Sequence, residues 1–142
     1  MKILLVYPEF PDTYWSFRHA LKFVGKRSAF PPLGLLTVSS MLPKAWERRL
    51  VDLNTGSLSP KDIEWADMVF LSAMIVQSES LKEVIAHCHE MGKRVVVGGP
   101  YVSTSSERLP EADHIFIGEA EETLPEFIHD LKLGIERRVY EA

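Results

Sequence analysis

Apolar residues fall along this chain in short dense blocks, and the spacing within each block assigns the elements. Lys2–Tyr7 (KILLVY) is an aliphatic run closed by Pro8, and it predicts a first strand. Similar runs predict strands at about Arg49–Leu53, Met68–Ala73, Arg94–Val97 and His114–Ile117. Between them the period lengthens. Leu33–Leu42 is helical in pattern and stops at Pro43, and a short turn is expected at Lys61–Trp65. After the third strand, Leu81, Val84, Ile85 and Cys88 recur at helical spacing, with Ser78 placed to cap the start and Gly92 to stop the end. A last helix over about Glu121–Leu131 puts Leu124, Phe127, Ile128 and Leu131 on one side. A long loop rich in aromatics and prolines, Pro8–Pro32, follows the first strand. Gly134–Ala142 is charged and aperiodic, so a domain over 1–133 and the start of a linker over 134–142 are expected.

Strands that are apolar at nearly every position are buried on both faces, and strand–helix alternation implies a parallel sheet covered on both sides. Right-handed crossovers then give an α/β fold: a Rossmann-like (flavodoxin-like), doubly wound, five-stranded parallel sheet in three α/β/α layers, of order 2-1-3-4-5. Ligands of such sheets dock at the carboxyl ends of the strands. The residues to inspect are therefore Pro8-Glu9-Phe10, Asn54-Thr55, Ser72-Ala73-Met74, Gly98-Gly99-Pro100 and Gly118-Glu119.

Composition narrows the classes. The chain has 142 residues, enough for one domain with a real core, and 46% hydrophobic with 25% charged residues is the balance of a soluble globular protein. A net charge of -4 and the lack of any basic run argue against a nucleic-acid partner. The apolar run Met1–Tyr7 is too short for a signal peptide or a membrane span, so no membrane partner is expected. The single cysteine, Cys88, allows no internal disulfide, which fits a reducing, cytoplasmic setting. It also cannot by itself hold an iron–sulfur cluster or a structural zinc. His87-Cys88-His89 resembles a metal cluster in print, but neighbours on a helix point about 100° apart. A packed cysteine between solvated histidines is expected.

The ends of the strands exclude several occupants of this fold. No Gly-x-Gly-x-x-Gly follows the first strand, nor a hydroxyl-rich phosphate cradle, and Ser72 stands where a receiver domain needs an aspartate. Ser72 lacks the base a nucleophile needs, since His114 begins its strand at the opposite edge. Glu121 and Glu122 are accounted for by the dipole of the helix they start, which leaves Glu119 as the acidic candidate. Gly98-Gly99 then becomes the discriminating feature. It is either a tight turn or a place where a ligand approaches the main chain. Small residues ending the neighbouring strands, Ser72 and Gly118, favour a slot cut down into the sheet.

At this point a resemblance enters. It rests jointly on Pro8-Glu-Phe-Pro-Asp-Thr-Tyr-Trp-Ser-Phe17, Phe30-Pro-Pro-Leu-Gly-Leu-Leu36, Val51-Asp-Leu-Asn54, Ser72-Ala-Met74, Gly98-Gly-Pro100 and Asp113-His-Ile-Phe-Ile-Gly-Glu-Ala-Glu121. With these, nearly the whole chain resembles the N-terminal cobalamin (vitamin B12)-binding domain of the cobalamin-dependent radical-SAM proteins. Tyr14-Trp15-Ser16-Phe17 is similar to a subgroup of iron–sulfur oxidoreductases related to the anaerobic magnesium-protoporphyrin monomethyl ester cyclase.

The resemblance implies a corrin ring across the carboxyl ends of the strands, with its nucleotide tail between sheet and helices. Gly98 and Gly99 would line the tail's passage, next to Pro100 and Tyr101. Ser72 would meet the tail's base or ribose beside Ala73 and Met74, Gly118 and Glu119 would lie against ribose or corrin amides, and Tyr14 and Trp15 would approach the upper corrin face. The Asp-x-His-x-x-Gly segment of the methionine-synthase type is absent, because Asp12 and His19 lack that spacing. Cobalamin without a His lower ligand is therefore expected. S-adenosylmethionine and a 4Fe-4S cluster would belong to a C-terminal radical-SAM domain outside this chain, and the parent would transfer methyl groups or carry out a radical oxidation or cyclisation. The chain alone would not be catalytic. Two alternatives stay open: a scaffold or dimerisation domain that keeps the fold without the cofactor, and a small nucleotide-binding α/β protein.

Overall fold

A computed structural model describes residues 1–11, 31–105 and 110–142. The aliphatic runs form β1 (Lys2–Tyr7), β2 (Glu47–Asp52), β3 (Met68–Ser72), β4 (Arg94–Gly98) and β5 (His114–Ile117). A sixth strand, β6, spans Val139–Glu141. Among the described residues the helices are α1 (Leu33–Met41), α2 (Pro60–Trp65), α3 (Ser78–Glu90), α4 (Pro100–Thr104) and α5 (Ala120–Leu133). All pairings are parallel and the order is β2-β1-β3-β4-β5-β6, so the expected order holds and is extended by one strand.

Successive side chains of a strand point to opposite faces, and here both faces are apolar. One face carries Leu4, Val6, Val69, Leu71, Val95 and Val97, covered by Ile63 of α2, the Leu81, Val84, Ile85 and Cys88 stripe of α3, and Val102 of α4. The other carries Ile3, Leu5, Tyr7, Phe70, Val96 and Phe116, covered by Leu35 of α1 and by Leu124 and Phe127 of α5. Phe127 meets Phe70, Phe116 and Tyr140 edge-on at 6.2, 5.2 and 5.5 Å between ring centroids, the geometry the aromatic quadrupole favours. Cys88 is fully buried between the exposed His87 and His89, as helical geometry requires. No helix among the described residues is long and apolar enough to cross a membrane.

Four local features differ from the sequence reading. Ser78 does not cap α3: a 3-10 turn over Ile75–Gln77 runs straight into the helix, and the Gln77 side chain accepts the Met74 amide instead. After the fourth strand, which runs one residue further to Gly98, Pro100 opens a helix, where its missing N–H costs nothing. The turn before β3 is a helix fixed by a reciprocal Ser59–Asp62 capping box.

The segment 134–142, expected as linker, instead carries β6. Tyr140 is 0% exposed; its hydroxyl donates to Asp130 Oδ2 at 3.0 Å and accepts from the Arg137 amide at 2.9 Å. His114 Nδ1 holds the Arg137 carbonyl at 2.7 Å, and Arg94 pairs with Glu136 at 2.7 Å. A three-residue edge strand with one inward side chain leaves no periodic trace in the sequence, which is why its charged flanks read as linker.

Two outcomes follow from this packing. Tyr140→Phe removes a buried donor and acceptor and is expected to cost about 1–3 kcal/mol in urea unfolding; an unchanged midpoint would mean that β6 is not fastened this way. Burial pushes the Cys88 thiol from 9.0 up to about 11. The folded value is the higher one, so the associated stability, about 2–3 kcal/mol at most, is whole below pH 9.0 and lost as pH rises toward about 11. Urea midpoints should fall across that window, and Cys88→Ala should fall less; equal slopes would remove Cys88 as the cause.

Candidate functional site

The pleat itself builds a groove. On the face covered by α1 and α5, each of three adjacent strands carries a bulky residue and, two positions later, a small one: Phe70 then Ser72, Val96 then Gly98, Phe116 then Gly118. Pairing puts Ser72 beside Gly98. The bulky three form the floor of a cavity of about 170 Å3, and the small three leave it open at the carboxyl edge. Gly34, Leu35, Thr37 and Val38 of α1 form one wall, and Glu119, Ala120 and Glu121 close the end at the start of α5. A second chamber, of about 280 Å3, adjoins it toward β1. The two share Gly34, Leu35 and Ser72, and the second adds Tyr7, Pro32, Met74, Gln77 and Pro100.

The glycine pair has two separate explanations. Gly99 has φ +95°, and a Cβ there would lie 2.5 Å from Ser72 Oγ and 3.1 Å from both the N and the O of Ala73. Its missing side chain is thus taken up by the protein itself, which lets the Tyr101 amide reach the Ala73 carbonyl at 2.9 Å. Gly98 is different. A Cβ there would meet Phe116 at an ordinary 3.6 Å, so its bareness serves the cavity and not the chain. Gly118, at φ +89°, lets Ala142 pass, with a would-be Cβ 2.9 Å from Ala142 Cβ.

Polar groups in the groove are few. Ser72 Oγ has no hydrogen-bond partner among the described residues. Glu119 is exposed; its carbonyl accepts from Glu122 and Thr123, and its side chain caps nothing. Burial, reinforced by the charge of Asp52, pushes the Tyr7 phenol above its ordinary pKa, while a hydrogen bond with Gln77 acts the other way. No group of three His, Cys, Asp or Glu side chains that could hold a metal occurs among the described residues. The described histidines also stand away from the groove: His114 opens β5, and His87, His89 and His129 lie toward the far ends of their helices.

Of the residues singled out by sequence, Ser72, Gly98, Gly99, Gly118 and Glu119 border the first chamber, and Ser72, Ala73, Met74 and Pro100 the second. Tyr101 packs on the opposite face of the sheet. Tyr14 and Trp15 lie outside the described residues. Sequence reasoning missed Tyr7, Gln77 and the α1 wall; the signal for that wall was Gly34, a lone glycine inside a helical pattern, which marks a close approach.

Comparison with known proteins gives this geometry a setting. A family model described as the B12 binding domain matches residues 27–128. An uncharacterized methyltransferase of Synechocystis sp. is 40% identical over 136 residues, covering 94% of this chain and 25% of that protein. The hopanoid C-2 methylase of Rhodopseudomonas palustris is 31% identical over 137 residues, covering 96% and 26% respectively. The bacteriochlorophyllide d C-12(1)-methyltransferase of Chlorobaculum tepidum is 26% identical over 113 residues, covering 78% and 25%. The chain therefore spans about a quarter of the length of the curated relatives it matches. No solved structure matches it.

The contrast between the two glycines is measurable. Gly99→Ala is expected to cost about 1–3 kcal/mol, from strain at positive φ together with the Ser72 contact. Gly98→Ala should stay within about 1 kcal/mol of the parent protein in urea unfolding. Equal losses at both positions would contradict the separate roles.

Proposed function

The chain belongs to the B12-binding domain family, and we propose that it holds cobalamin at the carboxyl edge of its sheet, with the nucleotide tail in the slot floored by Phe70, Val96 and Phe116. One observation carries the reading: three neighbouring strands end in small residues on the same face, Ser72, Gly98 and Gly118, directly above an apolar cavity that no described residue fills. The residues present fit such a tail. The open side of Gly98 admits it without a clash, and the unengaged Ser72 hydroxyl offers a donor to a ring nitrogen or ribose oxygen. Gly118 and Glu119 border the same mouth, and Ala73, Met74 and Pro100 bound the wider chamber toward β1. The absence of a phosphate cradle after β1 speaks against the nucleotide-binding alternative.

Cobalamin is bound without a histidine lower ligand. The reading is supported by the spacing of Asp12 and His19 and by the position of every described histidine away from the groove. When bound, the cofactor supplies a cobalt centre that carries a methyl group or exchanges electrons; the protein supplies orientation and shelter from water. The relatives are named as methyltransferases or a methylase and are about four times as long, so the whole protein is assigned a methyl transfer. The 4Fe-4S cluster and S-adenosylmethionine are assigned to a C-terminal radical-SAM domain, since Cys88 alone holds no cluster and is buried away from the groove. Because β6 joins the same sheet, residues 134–142 are assigned to the cobalamin domain, and its setting is assigned as cytoplasmic.

The test is direct. After incubation with hydroxocobalamin and desalting, the protein is expected to retain corrin absorbance in the visible range. Gly98→Leu sends a side chain into the slot and should weaken retention by about a hundredfold while circular dichroism stays unchanged. A parent protein that retains no corrin overturns the reading, and so does full retention by Gly98→Leu.

A further inference from the structure

Gln77 is 1% exposed, yet it is a polar side chain in a segment flanked by exposed apolar residues, Ile75 and Val76. Both ends of its amide are engaged. Oε1 accepts from the Met74 amide at 2.8 Å, and Nε2 donates to the Pro8 carbonyl at 2.7 Å. Tyr7 and Met74 stand on two walls of the second chamber, and Gln77 itself lies between them.

The Pro8 carbonyl shows why an amide is required. The ladder between β1 and β2 ends one residue earlier, where the Leu53 amide meets the Tyr7 carbonyl at 3.0 Å. Proline breaks the strand there, so the next carbonyl needs side-chain donors. Asn54 gives a second at 3.1 Å and accepts the Phe10 amide at 2.9 Å, while Ser80 receives the Glu9 amide at 2.8 Å. A hydrocarbon of Gln77's size would pack as well but would leave the Met74 amide unpaired and Pro8 with half its support. Such groups are costly to bury unsatisfied, and the chain would move to reach water.

We propose that Gln77 is a positioning residue for the groove's ligand: it ties the end of β1 to the exit of β3 and so holds the second chamber in its binding shape before the ligand arrives. The inference rests on the cobalamin reading above. Its physical content is preorganisation, since a wall already fixed adds no ordering cost on binding.

The test uses hydroxocobalamin as the probe, with amide hydrogen exchange measured on the ligand-free protein. Gln77→Met is expected to speed exchange at Met74 and Phe10 and to weaken hydroxocobalamin about tenfold. Gln77→Glu keeps the acceptor for Met74 and loses the donor to Pro8; it should show the same weakening with faster exchange at Phe10 alone, and it carries the test if Gln77→Met does not fold. Cys88→Ala, a buried lesion on the other face of the sheet that borders neither chamber, separates positioning from stability: it should bind as the parent protein does. Unchanged affinity in both Gln77 variants overturns the inference, as does an equal loss in Cys88→Ala. Weakened binding with parent-like exchange at Met74 and Phe10 also overturns it, because Gln77 would then act by direct contact. If the parent protein binds no hydroxocobalamin, the cobalamin reading fails and this inference with it; parent binding with unaltered variants removes the inference alone.

Discussion

The structure depends on one asymmetry of the pleat. Three central strands bury large side chains on both faces along their length and then, at the carboxyl end, stop doing so on one face only. Leu71 and Val97 still pack under α3 and α4, while their neighbours Ser72 and Gly98 present almost nothing toward α1 and α5. A sheet buried on both faces would ordinarily close such a gap, because a void forfeits contacts that nothing else replaces. Here α1 cannot collapse into it. Leu35 of α1 and Leu42 just beyond it are packed in the same apolar cluster as the floor residues, and Gly34 leaves the helix bare opposite Ser72, with a would-be Cβ still 3.5 Å from that hydroxyl. The groove is thus maintained by packing around it.

The same edge shows how closely structural and functional glycine are interleaved. Gly99 is needed by the chain, since its positive φ and its contact with Ser72 let β4 turn straight into α4. Gly98, one residue earlier, borders the cavity, and a Cβ there would meet Phe116 only at an ordinary 3.6 Å. The small residues of the edge also work as a unit: Ser72 fills the place beside Gly99 and is held there with its oxygen free of other partners. On the other side, the buried Gln77 amide and the half-buried Asn54 and Ser80 side chains fix Pro8–Phe10, where the regular ladder ends. A cavity bounded by rigid strand ends on one side and by such a polar knot on the other is suited to a large ligand that must be held in one orientation.

Much of this was legible in the residues. Continuous aliphatic runs such as Leu4–Val6 and Val95–Val97 declare buried parallel strands, and the stripe from Leu81 to Cys88 declares the helix between them. The slot itself is visible once the period of two is applied to Phe70/Ser72, Val96/Gly98 and Phe116/Gly118. Other features had no local signal. β6 depends on a single inward residue, Tyr140, whose partners, the Asp130 carboxylate and the Arg137 amide, are brought to it only by the folded sheet. Gln77 gave no signal either, because a glutamine between apolar residues reads as exposed until Pro8 is found against it. Tyr101 was placed at the edge by adjacency alone, and the helical turn begun at Pro100 carries it to the other face.

The central claim is that the trimmed edge above Phe70, Val96 and Phe116 receives the nucleotide tail. Amide hydrogen exchange tests it most directly when cobalamin is compared with cobinamide, the same corrin without the nucleotide. The account predicts that cobalamin slows exchange at Ser72, Gly98 and Gly118 and that cobinamide leaves these three amides unprotected. Equal protection by both, or protection confined to the amino end of the sheet, would contradict it.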